Sequence, residues 1–71
     1  MARFITKPNF GHFSVIDTIN NKMIVGYPKK IHAEITAKGL NKIKTETSLQ
    51  KKIKLLKTMK GYGYFINKES K

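Results

Sequence analysis

Two stretches of the chain hold residues whose type and spacing could do chemistry. The first is Lys51, Lys52, Lys54, Lys57 and Lys60, five cations within ten residues and no acid among them. Like charges at i, i+3 and i, i+4 cost an isolated helix a few tenths of a kcal/mol each. A phosphate backbone or another anionic surface would relieve that repulsion; the plainer account is a solvated lysine face. The second stretch is Lys60-Gly61-Tyr62-Gly63-Tyr64-Phe65-Ile66. Read as a strand, it puts the Tyr62 and Tyr64 rings on one side, where each could stack on a base for ~1–3 kcal/mol. The glycines would let a nucleic-acid strand come close, and Lys60 would meet a phosphate. The alternative is that Gly61 stops a helix and both tyrosines pack on a neighbouring strand. Lys29 and Lys30, just after Tyr27-Pro28, form a second cationic patch.

Catalysis finds little to work with. Asp17, Glu34, Glu46 and Glu69 are the only acids, and His12 and His32 the only imidazoles. Asp17 flanks a turn whose backbone it can bond, Glu34 has Lys38 one helical turn on, and Glu46 sits among capping residues. A nuclease would gather several carboxylates around a metal. With 0 cysteines, thiolate nucleophiles, thiolate metal sites and disulfides are excluded. The expectation is a protein that is not an enzyme and takes no cofactor.

The 71 residues suffice for one small domain, and 39% hydrophobic content for one core. Fifteen Lys+Arg against four Asp+Glu give a net charge of +11, which favours an anionic partner. Arg3 is the sole arginine, which weighs against bidentate base reading. No apolar run approaches the ~20 residues that span a bilayer, and the start of the chain is too polar for a signal peptide. A basic amphipathic helix can lie on an anionic membrane, but here the apolar stripe is needed for the core. The chain therefore reads as a cytoplasmic protein with no membrane partner.

The elements that must position these residues follow from periodicity. Residues 10–27 read as a β-hairpin, Phe10 to Asp17 and Met23 to Tyr27, turning at Thr18-Ile19-Asn20-Asn21. Residues 2–6 can add a strand before a Pro8-Asn9 turn. Residues 29–43 read as a helix with Ala33, Ala37, Leu40 and Ile43 on one stripe. A second helix, 48–60, carries Leu49, Ile53, Leu56 and Met59 inward, with Lys51, Lys54 and Lys57 facing away and Lys52 and Lys60 flanking the stripe. Gly61 closes it, 62–66 reads as a strand, and 67–71 as a polar tail. The fold class is α+β, a small antiparallel sheet packed with two helices in the order (β)ββααβ.

Strand parity with a two- or four-residue turn puts Phe13, Val15, Ile24 and Gly26 on one hairpin face. Phe10, His12, Ser14, Ile16, Met23, Val25 and Tyr27 fall on the other. Both faces are largely apolar, so helices cover both or one is a binding surface.

Residues 60–66 resemble the aromatic RNA-binding motif of RNA-recognition domains and the Lys-Gly-Tyr-Gly-Phe-Ile string of cold-shock proteins, with Tyr64 as an extra residue. Phe10 to Ile43, with its hairpin, Tyr27-Pro28-Lys29-Lys30 and the helix bearing Ala33-Glu34, Ala37 and Leu40-Asn41, resembles the arm-DNA-binding domains of phage-type integrases. It is also similar to other short proteins of phages and mobile elements. The integrase likeness implies a three-stranded sheet in the major groove with a helix behind it, and Lys7, His12 and Lys22 as sheet-side contacts. The sheet here is more apolar than that family's, and the 71 residues hold no catalytic domain of that kind.

Together these features predict a small basic phage or mobile-element protein binding nucleic acid, DNA or RNA, mainly through phosphates. Its contacts would be Lys29, Lys30, Lys51, Lys52, Lys54, Lys57, Lys60, Tyr62 and Tyr64. The alternative is an inhibitor or adaptor, anti-CRISPR-like, docking on an acidic host protein or ribonucleoprotein; a homodimer through an apolar hairpin face would explain that face equally well.

Overall fold

In the computed structural model, which describes residues 2–69, strands β1 (Phe4–Asn9), β2 (His12–Asp17) and β3 (Lys22–Tyr27) form an antiparallel sheet in the order β1-β2-β3. Helices α1 (Lys30–Lys42), α2 (Leu49–Leu56) and α3 (Tyr64–Glu69) follow. The architecture is α+β, a hairpin-built sheet and then helices.

The first strand runs longer than residues 2–6. Pro8 and Asn9, expected to turn, pair with Phe13 and His12 as the end of β1. The turn is Phe10-Gly11, with φ of 45° and 86°, the two-residue hairpin pattern with both φ positive. Proline is admissible because β1 is an edge strand. The Phe4 N–H and carbonyl both face away from β2, toward the Asn41 amide, so by alternation the missing N–H of Pro8 also faces outward. The second turn falls at residues 18–21, with Asn21 in the left-handed region at φ 53° and the Asp17 carboxylate accepting from the Ile19 N–H at 3.1 Å.

A β-bulge corrects the predicted facing. Asp17 pairs with Lys22 and Ile16 with Met23, but Val15 then pairs with Val25 and Phe13 with Tyr27, the register shifting between Val15 and Ile16. The extra residue on β3 moves Val25 and Tyr27 to the side of Phe13 and Val15, because a one-residue slip reverses every later side chain. That side holds Phe4, Val15 and Tyr27, all buried.

Helix α1 lies across all three strands, and α2 and α3 pack against α1. Ala33, Ala37, Leu40 and Ile43 are buried as the stripe predicts, with Leu56 and Ile66 completing the core from α2 and α3. Buried Thr36 donates to the Tyr27 hydroxyl at 2.9 Å. The other face of the sheet, with Ile5, Ile16 and His12 half-buried and Lys7 and Met23 exposed, carries no helix among the described residues.

The C-terminal third departs most from expectation. The second helix ends at Leu56 rather than at residue 60: the Thr58 hydroxyl and amide both donate to the Leu55 carbonyl, and the Met59 N–H donates to Leu56, so the last turn tightens and the chain reverses. Residues 62–66 are not a strand. The chain turns through Tyr62-Gly63, and α3 takes up Tyr64 onward. The helix pairs its backbone internally, while Phe65 and Ile66 still reach the core. The Asn67 side chain fastens α3 by donating to the Lys57 carbonyl at 2.9 Å. Of the predicted tail, 67–69 belongs to α3, and 70–71 lies outside the described residues.

Candidate nucleic-acid interface

The distribution of charge starts from the one arginine. The Arg3 Nε and Nη2 each donate to an oxygen of Asp17 at 3.0 Å, and Nη1 donates to the Thr47 carbonyl at 2.9 Å. This bidentate fork ties the start of β1 to the end of β2 and to the α1–α2 connection. The hydrogen bond from Arg3 holds the Asp17 carboxyl below the usual carboxylate range, against its burial, with the Ile19 N–H and the nearby Arg3 and Lys52 charges adding to the effect. The same partner raises the Arg3 guanidinium. It is the only ion pair among the described residues. Glu34, expected to meet Lys38, makes none.

With Asp17 paired inside the fold, Glu34 is the exposed acid and Glu46 a half-buried one among the described side chains, against a large excess of exposed lysine. Among the described residues twelve lysines are exposed, including Lys29, Lys30, Lys51, Lys54, Lys57 and Lys60. Lys52 departs from its expected place beside the stripe. It is 7% exposed, its Nζ donates to the Ile43 carbonyl at 2.5 Å, and it stands 5.9 Å from the Phe4 ring centre. On α2 it lies three residues after Leu49 and four before Leu56, on the inward face, so it is used up in closing α2 onto α1.

Three lysines outside the sequence-derived set join the surface. An open groove of about 800 Å³ between β1 and α1 is lined by Lys38, Lys42 and Lys44 together with one acid, Glu34, and with Phe4, Thr6 and Asn41. Lys44 also lines the neighbouring depression beside Arg3 and Glu46, and Glu46 in turn lines the hollow holding Lys51 and Lys54. The first two depressions share Phe4, Asn41 and Lys44 and the last two share Glu46, so Lys38, Lys42, Lys44, Lys51 and Lys54 lie along one track that Glu46 interrupts. Glu34–Lys38–Lys42 at i, i+4, i+8 was the available signal, diluted by the acid at its head.

The tyrosines do not share a face. Tyr62 is half-buried: a Cβ placed on Gly39 would lie 2.8 Å from the Tyr62 Cβ and 2.5 Å from Leu56 Cδ1, so the missing side chain of Gly39 is what lets both pack onto α1. The Lys42 Nζ stands 5.8 Å from the Tyr62 ring centre. Tyr64, 63% exposed, lies toward the other end of α1 and meets Phe65 edge-on at 5.1 Å; Phe65 stacks on His32 at 4.0 Å. Gly63 between them sits against backbone, its would-be Cβ only 2.2 Å from the Leu56 carbonyl oxygen. Of the sheet-side residues implied by the integrase likeness, Lys7 is exposed and His12 half-buried on the uncovered face, while Lys22 is exposed opposite Asp17.

No described helix is long and apolar enough to cross a membrane. The chain matches no protein-family model, no curated protein and no solved structure.

Proposed function

We propose that the protein is a non-enzymatic nucleic-acid-binding protein that holds phosphates with its lysines. The carrying observation is that, among the described residues, the one ion pair is internal while twelve lysines stand exposed without an acidic partner. Lysine ammonium groups act as point charges on phosphate rather than as readers of base edges, so affinity comes from counterion release with little sequence preference. The track from Lys38 to Lys54 and the exposed Lys57 and Lys60 supply the main contacts, with Lys29 and Lys30 as a second group. The long axis of the domain, 33 Å, matches about 10 base pairs of duplex at 3.4 Å each.

The test is fluorescence anisotropy of labelled duplex DNA, single-stranded DNA and RNA across ~50–200 mM salt. Micromolar or tighter binding, with log affinity falling as log salt with a slope of about −4 or steeper, is expected for five or more phosphate contacts. Absence of binding at the lowest salt overturns the reading. The second reading, an inhibitor or adaptor on an acidic protein or ribonucleoprotein, then takes its place; it is supported by the uncovered sheet face with Ile5, Ile16 and Met23.

A further inference from the structure

Phe10 is the most exposed large apolar residue among those described, at 99%, and it occupies the first position of a two-residue turn at φ 45°. Such turns favour Asn, Asp or Gly there, because a side chain with a Cβ in the left-handed region is unfavourable by about 1–2 kcal/mol. The ring recovers none of this by packing, since it lies outside the core cluster. Neither the turn nor the core accounts for an aromatic at this position.

Its surroundings indicate what would. The turn precedes β2, and Phe13 of β2 pairs with Tyr27 at the end of β3, so Lys29, Lys30 and the first turn of α1 lie at the same end of the domain as Phe10. His32 in that first turn stacks on Phe65, which carries the exposed Tyr64 beside it. Lys7, three residues before Phe10, is also exposed. This end thus combines two solvent-facing aromatic rings with three lysines.

We infer that Phe10 is a base-stacking residue and that this end of the domain takes the unpaired bases of a single-stranded segment or a frayed duplex end, an inference that rests on the nucleic-acid reading above. Lysine contacts place the strand, and the ring offers a π-face to whichever base lies over it, which is tolerant of sequence. A base paired and stacked inside a duplex has no free face to offer, so the contact discriminates in favour of single strands.

The decisive variant is Phe10→Asn, which suits the turn better than the native residue and so leaves the fold intact or more stable, as checked by thermal melting. Binding is measured on a labelled single-stranded oligonucleotide carrying 2-aminopurine and on a blunt duplex of the same length at equal salt. The wild type should quench 2-aminopurine. Phe10→Asn should lose about tenfold in single-strand affinity and most of the quenching, with duplex affinity and salt slope unchanged; Phe10→Tyr should restore both. Equal single-strand affinity of wild type and Phe10→Asn overturns this inference but leaves the phosphate-binding reading standing, as does an equal loss on duplex. Retention of full affinity by Phe10→Leu overturns it too, since it would mean an apolar rather than a stacking contact. Failure of the wild type to bind any of the nucleic acids overturns both.

Discussion

The Lys52 ammonium donates to the Ile43 carbonyl oxygen over 2.5 Å, a cation held at the residue that caps the C-terminal end of α1. A positive charge there meets the negative end of the helix dipole and satisfies one of the carbonyls that a helix end leaves open. The second lysine of the run is therefore a clamp between α2 and α1.

Replacing it separates stability from binding. Lys52→Met should keep the stem packing but lose the charged hydrogen bond, at about 1.5–3 kcal/mol. For a domain of this size, that is a fall in Tm on the order of 10 °C. The salt dependence of nucleic-acid binding should stay as in the wild type, because Lys52 contributes no phosphate contact.

The exposed lysines should behave in the opposite way. Lys51, Lys54 and Lys57 changed together to Gln, and separately Lys38, Lys42 and Lys44 changed together to Gln, should each melt near the wild-type temperature. The log–log salt slope should become shallower by about 2–3 in each triple variant, at roughly 0.9 per phosphate lost. A triple variant with an unchanged slope removes that part of the track from the interface.

Acid should unfold the protein through Asp17. Its carboxyl lies below the usual range in the folded state because Arg3 bonds it, and near 3.9 when unfolded. A depressed carboxyl stabilises the fold fully above the unfolded value, and that stabilisation is lost as pH falls through the folded one. Tm should hold from neutral pH down to about 5 and drop below about 4, and Asp17→Asn should flatten that part of the profile while lowering Tm at neutral pH. An acid limb identical in Asp17→Asn would assign it to other groups.

Gly63 has no room for a methyl group, since the atoms in its way are Leu56 and Lys57 backbone. Gly63→Ala should destabilise by about 1–3 kcal/mol and loosen α3, seen as faster amide exchange at Asn67, whose N–H donates to the Gly63 carbonyl. Gln50→Ala on the exposed side of α2 should stay within about 0.5 kcal/mol of wild type.

The two tyrosines, alike in sequence context, should part in effect. Tyr62→Ala opens a hole beside Gly39 and Leu56 and should cost about 2 kcal/mol in urea unfolding. Tyr64→Ala should leave the unfolding midpoint alone and weaken single-strand binding by a few-fold.

Much of the α+β order is legible in the residues themselves. Local periodicity marks the hairpin, the Ala33–Ala37–Leu40–Ile43 stripe and the inward face of α2, because alternation and the 3.6-residue repeat act over a few neighbours and need no partner. The excess of lysine is likewise a property of composition alone. Even Lys52 had a signal, three residues after Leu49 on the buried face, hidden by the four cations around it.

What only the tertiary structure decided depends on contacts distant in the chain. The bulge opposite Val15 and Ile16 reversed the facing of Val25 and Tyr27, because register is settled by which strand face α1 covers. Tyr64-Phe65-Ile66 has the composition of a strand, yet it forms a helix whose Ile66 joins the core, with Gly63 seated against the Leu56 carbonyl. Phe10 and Tyr64, 54 positions apart in sequence, came to one end of the domain through pairing of β2 with β3 and stacking of Phe65 on His32. Sequence alone determined that the protein would be a small, strongly cationic sheet-and-helix domain; which cations face outward, and which rings, was decided by the packing of α1, α2 and α3 around one core.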